Sequence, residues 1–170
     1  RRYENPFLRY DARYVTDGKW ALFSSPKIVI AGMTKIIEAA YDPIGYALGV
    51  NVYAATDFDI DYRYILALLN SNLMTFVFKR MFQAKHLAGG YLAINKGQLT
   101  KLPIKIPSGH LEQQIVQLTN EILKCADGLK TPPSTELLNT INTMKFRLDE
   151  VIYQLYGLSE ADIELIKHNA

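Results

Sequence analysis

From Tyr62 to Leu111 the chain contains no Asp or Glu, yet the same stretch holds Arg63, Lys79, Arg80, Lys85, Lys96, Lys101 and Lys105, with His86 among them. The formal charge of the whole is only +2. A basic block on a near-neutral protein points to a local anionic partner rather than to general stickiness. Lysine and arginine give DNA affinity by releasing counterions from phosphates, while sequence readout needs Arg, Lys, Asn or Gln at base edges in the major groove. Lys79, Arg80, Lys85, His86, Asn95, Lys96, Gln98 and Lys101 cluster around the Gly89-Gly90 turn, and Arg9, Arg13 and Lys35 are candidates to extend that surface. On charge alone, a solvated face that serves solubility is the plainer account.

Other chemistries find no complete residue set. Asp57, Asp59 and Asp61 imitate the start of a calcium loop, but Tyr62 stands where the loop needs glycine and Leu68 where it needs glutamate. Helix capping explains these acids. Asp11 with Asp17-Gly18-Lys19 has the residue types of a nuclease's metal-binding acids and lysine, yet Gly18 fits a loop better than a catalytic strand. Cys125 falls on an apolar helical seam, where a thiol is a small hydrophobe. His86, His110 and His168 have no spacing that makes them its base or joins them in a zinc site. We therefore assign no catalytic and no metal-binding residue, and no cofactor to this segment.

The elements that position the basic block read as α+β. Lys19–Phe23, Lys27–Ala31, Lys35–Tyr41 and Tyr46–Ala55 are predicted strands, rich in β-branched and aromatic residues. Asp42-Pro43-Ile44-Gly45 supplies the turn of a hairpin. A helix follows from an N-cap at Asp59 or Asp61 towards Met81, with a break or kink at Asn70-Ser71-Asn72. Tyr62, Tyr64, Phe76, Phe78 and Phe82 belong to the core at that helical spacing. Tyr91–Asn95 and Leu102–Ile106 are further strands, the second an edge strand because Pro103 and Pro107 bracket it. Two heptad seams come next: Leu111, Ile115, Leu118, Ile122, Cys125 and Leu129, then Leu137, Ile141, Met144, Leu148, Val151 and Leu155. A short connection at Gly128 and Pro132-Pro133 predicts an antiparallel helical hairpin. Ser159 and Asp162 then form a capping box for a short terminal helix.

The result is a small mixed or antiparallel sheet, curled towards a barrel, with a long helix and a C-terminal helical hairpin. Residues 1–108 form the β-rich unit and 109–170 the helical one, packed on the first or on a larger parent. Nearly half the residues are hydrophobic, which is enough for a core, and apolar runs stay far below the roughly 20 residues of a membrane span. The lone cysteine fits a reducing, cytoplasmic setting. The first residue is Arg1 rather than Met, as expected of a piece of a longer protein.

An ordered series of segments adds to this. Ser25-Pro26-Lys27-Ile28-Val29-Ile30, Ala39-Ala40-Tyr41-Asp42 and Gly45-Tyr46 precede Tyr64-Ile65-Leu66-Ala67-Leu68-Leu69-Asn70-Ser71 and Gly89-Gly90-Tyr91. Lys101-Leu102-Pro103-Ile104-Lys105-Ile106-Pro107, Glu112-Gln113-Gln114 and Asp149-Glu150-Val151-Ile152-Tyr153-Gln154-Leu155-Tyr156-Gly157-Leu158 complete it. The series resembles the TaqI-like C-terminal specificity domain of adenine-specific DNA methyltransferases and of fused restriction-modification enzymes. It is more distantly similar to the target-recognition domains of type I restriction specificity subunits. The resemblance implies a domain that reads double-stranded DNA while a separate upstream domain or subunit methylates adenine with S-adenosylmethionine. It transfers no individual base-reading residue. The methylating motifs themselves are missing here: Asn5-Pro6-Phe7 lacks the second proline of the base-gripping loop, and no Gly-x-Gly-x-x-Gly occurs. The rival expectation is a protein-interaction module that acts through the heptad hairpin.

Overall fold

The computed structural model describes residues 11, 13–82, 89–106, 109–127 and 134–169. They form an α+β fold in which every strand pairing is antiparallel, and among the described residues no barrel closes.

Lys19–Phe23 is a helix and not a strand. Helix α1 (Asp17–Ser24) is capped by Thr16, whose side chain accepts the Lys19 N–H, and Asp17 places a negative charge in its first turn. Five residues of mixed pattern carry no periodicity that separates helix from strand, so the cap decides. Strand β1 (Lys27–Ala31) then forms the centre of a three-stranded sheet. Met33–Thr34 forms β2. Strands β3 (Ala39–Asp42) and β4 (Val52–Ala55) flank β1 on its two sides, each starting later than the sequence pattern indicated.

The turn after β3 exists, with Gly45 at φ 101°, but it closes no hairpin. The strands it joins lie on opposite edges of β1, so residues 43–51 cross over. Asp42 explains why. Its carboxylate, 4% exposed, meets the fully buried Lys27 ammonium at 2.6 Å and accepts the N–H groups of Ile44, Gly45 and Tyr46. Lys27 also donates to the carbonyls of Phe23 and Ser25 at the end of α1. Burial alone would raise the Asp42 pKa, but the ammonium and the three N–H donors outweigh it and hold the carboxyl at about 2.

The long helix is interrupted where expected. Helix α2 (Tyr62–Leu69) is capped by Asp61 and ends at Asn70, and α3 (Asn72–Met81) restarts from a Ser71 cap. The poor helix formers at the break carry tertiary bonds. Asn70 holds both the N–H and the C=O of Ala39 on β3, at 2.9 Å each. Asn72 gives its N–H and its side-chain amide to Asp149. Tyr64 and Phe78 are buried, and Tyr62, Phe76 and Phe82 pack half-buried against the core, as their spacing predicts.

Strand β5 (Leu92–Ala93) pairs with β2, and α4 (Lys96–Leu99) follows it. Leu102–Ile106 joins no sheet. Pro103 lacks an N–H, its carbonyl accepts the Tyr156 hydroxyl at 2.7 Å, and that hydroxyl accepts the Lys105 N–H at 3.1 Å. The segment is strapped to a helix instead of a strand. Helices α5 (His110–Asp127) and α6 (Thr135–Tyr156) pack side by side, with Ile115, Ile141, Leu148 and Leu155 buried along their seams. Helix α7 (Glu160–Asn169) starts from the Ser159–Asp162 capping box. Ile28 and Ile30 of the sheet share one core with Leu68, Met74, Ile115, Ile152 and Ile166, so the helical segment closes over the sheet-bearing part. No helix among the described residues is long and apolar enough to cross a membrane.

Candidate nucleic-acid interface

The basic block acquires a surface at the β2–β5 ribbon. Gly32 forms the joint between sheet and ribbon: its N–H donates to the Asn51 carbonyl at 2.7 Å and its own carbonyl accepts the Ile94 N–H at 2.9 Å. A Cβ at this position would sit 2.5 Å from the Asn51 oxygen, so only glycine allows the approach. The ribbon's inner face is sealed by Thr34, Ile37, Leu92 and Ile94, all buried, and the Ile37 N–H donates to Thr75 on α3. Alternation then turns Met33 and Lys35 outward. Met33 stands opposite Ala93, and Lys35 holds its ammonium 5.7 Å from the centre of the Tyr91 ring. Gly89 and Gly90, with φ of +82° and +77°, lead the chain into Tyr91 through two successive left-handed residues.

The sequence-predicted contacts divide into two groups. Lys35 on the ribbon, Lys96 at the start of α4, Lys101 just beyond it and Arg80 near the end of α3 are exposed. The Arg80 guanidinium also rests over Phe76 at 5.2 Å. The rest are engaged locally. Asn95 caps α4 by accepting the Gln98 N–H, and the Gln98 side-chain Oε1 accepts the Asn95 N–H in return, with Gln98 only 4% exposed. These two side chains hold a helix end instead of facing outward to a groove. Lys79 is half-buried and donates to the Asn169 carbonyl, and Arg13 is bound at 2.6 Å to Asp11. Within the same acid-free stretch, Arg63 is paired with Asp61 and Lys105 donates to the Leu155 carbonyl. Arg9, Lys85 and His86 lie outside the described residues.

The sequence reading missed Met33, Ile36 and Tyr91, which are exposed apolar side chains beside Lys35. Their signal was weak, because a two-residue strand shows its alternation only once its partner is known. Of the three acids read as helix caps only Asp61 caps one, while Asp57, at φ 58°, accepts the Thr56 hydroxyl. Asp61 accepts the Arg63 N–H as a cap, and Cys125 is half-buried in α5. Among the described residues no three of His, Cys, Asp and Glu gather as metal ligands would.

Residues 2–104 match the family described as the TaqI-like C-terminal specificity domain. The chain belongs to that family. TaqI-like specificity domains are DNA target-recognition units of restriction-modification enzymes, so the exposed cations of the ribbon and α4 belong to a DNA-binding domain. The matched stretch of this specificity domain contains the sheet, the ribbon and α1 through α4, while α5, α6 and α7 lie beyond it. No curated protein matches the chain.

Proposed function

We propose that this specificity domain recognises a double-stranded DNA target for an adenine-specific DNA methyltransferase, in a parent that also includes a restriction endonuclease where the two are fused. The observation that carries the reading is the family membership of a stretch with the outward cations Lys35, Arg80, Lys96 and Lys101, the last three within the acid-free run from Tyr62 to Leu111. These groups would hold phosphates, and a few neighbours would reach base edges.

Adenine methylation would be done elsewhere in the parent. S-adenosylmethionine supplies the methyl group, and such cofactors usually rest on a glycine-rich turn between a strand and a helix of a parallel sheet. The described residues do not fit it: every strand pairing is antiparallel, and Gly32 joins strand to strand. In this reading the cofactor and its chemistry belong to the methyltransferase domain or subunit, which is the second partner of this domain beside DNA. The competing interaction-module reading would act through α5 and α6, which lie beyond the matched stretch and pack against each other within the chain.

The test is selection from a randomised duplex library at low and moderate salt, followed by sequencing of the bound fraction, on this chain and on its full-length parent. Salt-sensitive binding enriched for a short motif supports the reading. Binding by neither protein, with both folded by circular dichroism, overturns it.

A further inference from the structure

We infer that the outer face of the β2–β5 ribbon is the base-reading element of this domain, with Met33 and Ala93 placed against the C5-methyl group of a thymine in the major groove. The assignment rests on the DNA-recognition reading above and names the part of the surface that carries specificity. Four observations lead to it.

A two-stranded antiparallel ribbon fits the roughly 12 Å width of the major groove, and this one is firmly mounted. Its inner residues Thr34, Leu92 and Ile94 are buried, Gly32 is bonded on both sides, and Ile37 is tied to α3. Its outer face carries two exposed large hydrophobic side chains beside Lys35: Met33 is 55% exposed and Tyr91 41%. Single exposed apolar residues are ordinary, but two on the same face of a fixed ribbon form a contact surface. Lys35 stands beside Tyr91, and Lys96 and Lys101 are exposed in the acid-free stretch after β5, so the charge here suits a polyanion rather than an apolar protein patch. Finally, the amide side chains nearest in sequence, Asn95 and Gln98, are engaged in capping each other's backbone. An apolar side chain offers no hydrogen bond to a base edge. The apolar group displayed in the major groove is the thymine methyl.

The experiment begins with a duplex selected by the full chain or, if it binds alone too weakly, by its parent. Each thymine of the selected motif is replaced singly by uracil, which removes only the C5-methyl. Wild type is expected to lose about three- to fivefold in affinity at one or two positions, the size of one methyl contact. Met33→Ala should lose a similar factor on the thymine duplex and nothing further on the matching uracil duplex, with an unchanged salt dependence. Lys35→Ala should instead lower the slope of log K against log salt by about one. Both side chains are exposed, so the thermal midpoints should match wild type.

Uniform indifference to uracil overturns the assignment. So does a Met33→Ala loss that is equal on both duplexes, or a variant that leaves DNA binding untouched and so gives the face to a protein partner. Selection of no duplex by either protein overturns the DNA-recognition reading and this assignment with it.

Discussion

Asp42→Asn keeps a carbonyl oxygen for the N–H groups of the turn but takes the negative charge from beside Lys27. Lys27 is fully buried and left with two carbonyls, those of Phe23 and Ser25. Removing one partner from a buried ion pair costs roughly 3–5 kcal/mol, because the other charge stays desolvated. A domain is stable by only about 5–15 kcal/mol in total, so the loss is a large fraction of it. At roughly 2–4 °C per kcal/mol for a chain of this size, the thermal midpoint should fall by about 6–20 °C. Lys27→Met should cost less, since Asp42 keeps three backbone donors. The pair also has an acid signature. The Asp42 carboxyl lies at about 2 in the fold against an ordinary 3.8, so its contribution is complete above about pH 4 and disappears as the pH falls through about 2. That gap corresponds to roughly 2 kcal/mol. Urea unfolding followed by circular dichroism from pH 2 to 7, wild type minus Asp42→Asn, should show a difference that narrows below pH 4. A variant within 1 kcal/mol of wild type, or a difference flat across the acid range, would refute the reasoning.

Two further predictions concern how the parts are joined. Burial pushes the Asp149 carboxyl up to about 6, although it accepts the Asn72 N–H. A carboxyl raised in the fold favours its protonated form. Stability should therefore decline by up to roughly 3 kcal/mol as the pH rises from about 4 to about 6, and stay level above. Asp149→Asn should remove that decline in urea midpoints, and an unchanged profile would count against a buried acid there. At the ribbon, Gly32→Ala drives a methyl against the Asn51 carbonyl, whereas Gly90→Ala meets nothing within 4 Å and suffers only from its positive φ. The first should cost about 2–3 kcal/mol and the second about 1 kcal/mol. The reverse order in thermal unfolding would contradict the placement of Gly32 as the joint.

Much of the architecture was legible because it follows from periodicity and caps. Leu137, Ile141 and Leu148 announce α6 by spacing, Ser159 and Asp162 announce α7, and Asn70-Ser71-Asn72 announces the break between α2 and α3. What was not legible depends on distant partners. Nothing local says that Val52–Ala55 will pair with the far edge of β1, so the turn reads as a hairpin although the chain crosses over. Leu102–Ile106 has strand composition but is claimed by the Tyr156 hydroxyl. The site was half legible for the same reason. Charge counting finds Lys35, Arg80, Lys96 and Lys101, but it also selects Asn95 and Gln98, whose bonds to each other appear only with α4. Met33 and Tyr91 escape it because they carry no charge.

The claim that this domain grips DNA through these cations is tested most directly by the salt dependence of binding to a selected duplex. Fluorescence anisotropy across about 50–200 mM salt compares wild type with the variant carrying Glu at Lys35, Arg80, Lys96 and Lys101. If all four meet phosphates, the slope of log K against log salt should be shallower in the variant by about three to four, with affinity lower throughout and the circular dichroism spectrum unchanged. The same slope and affinity in a folded variant would contradict the account.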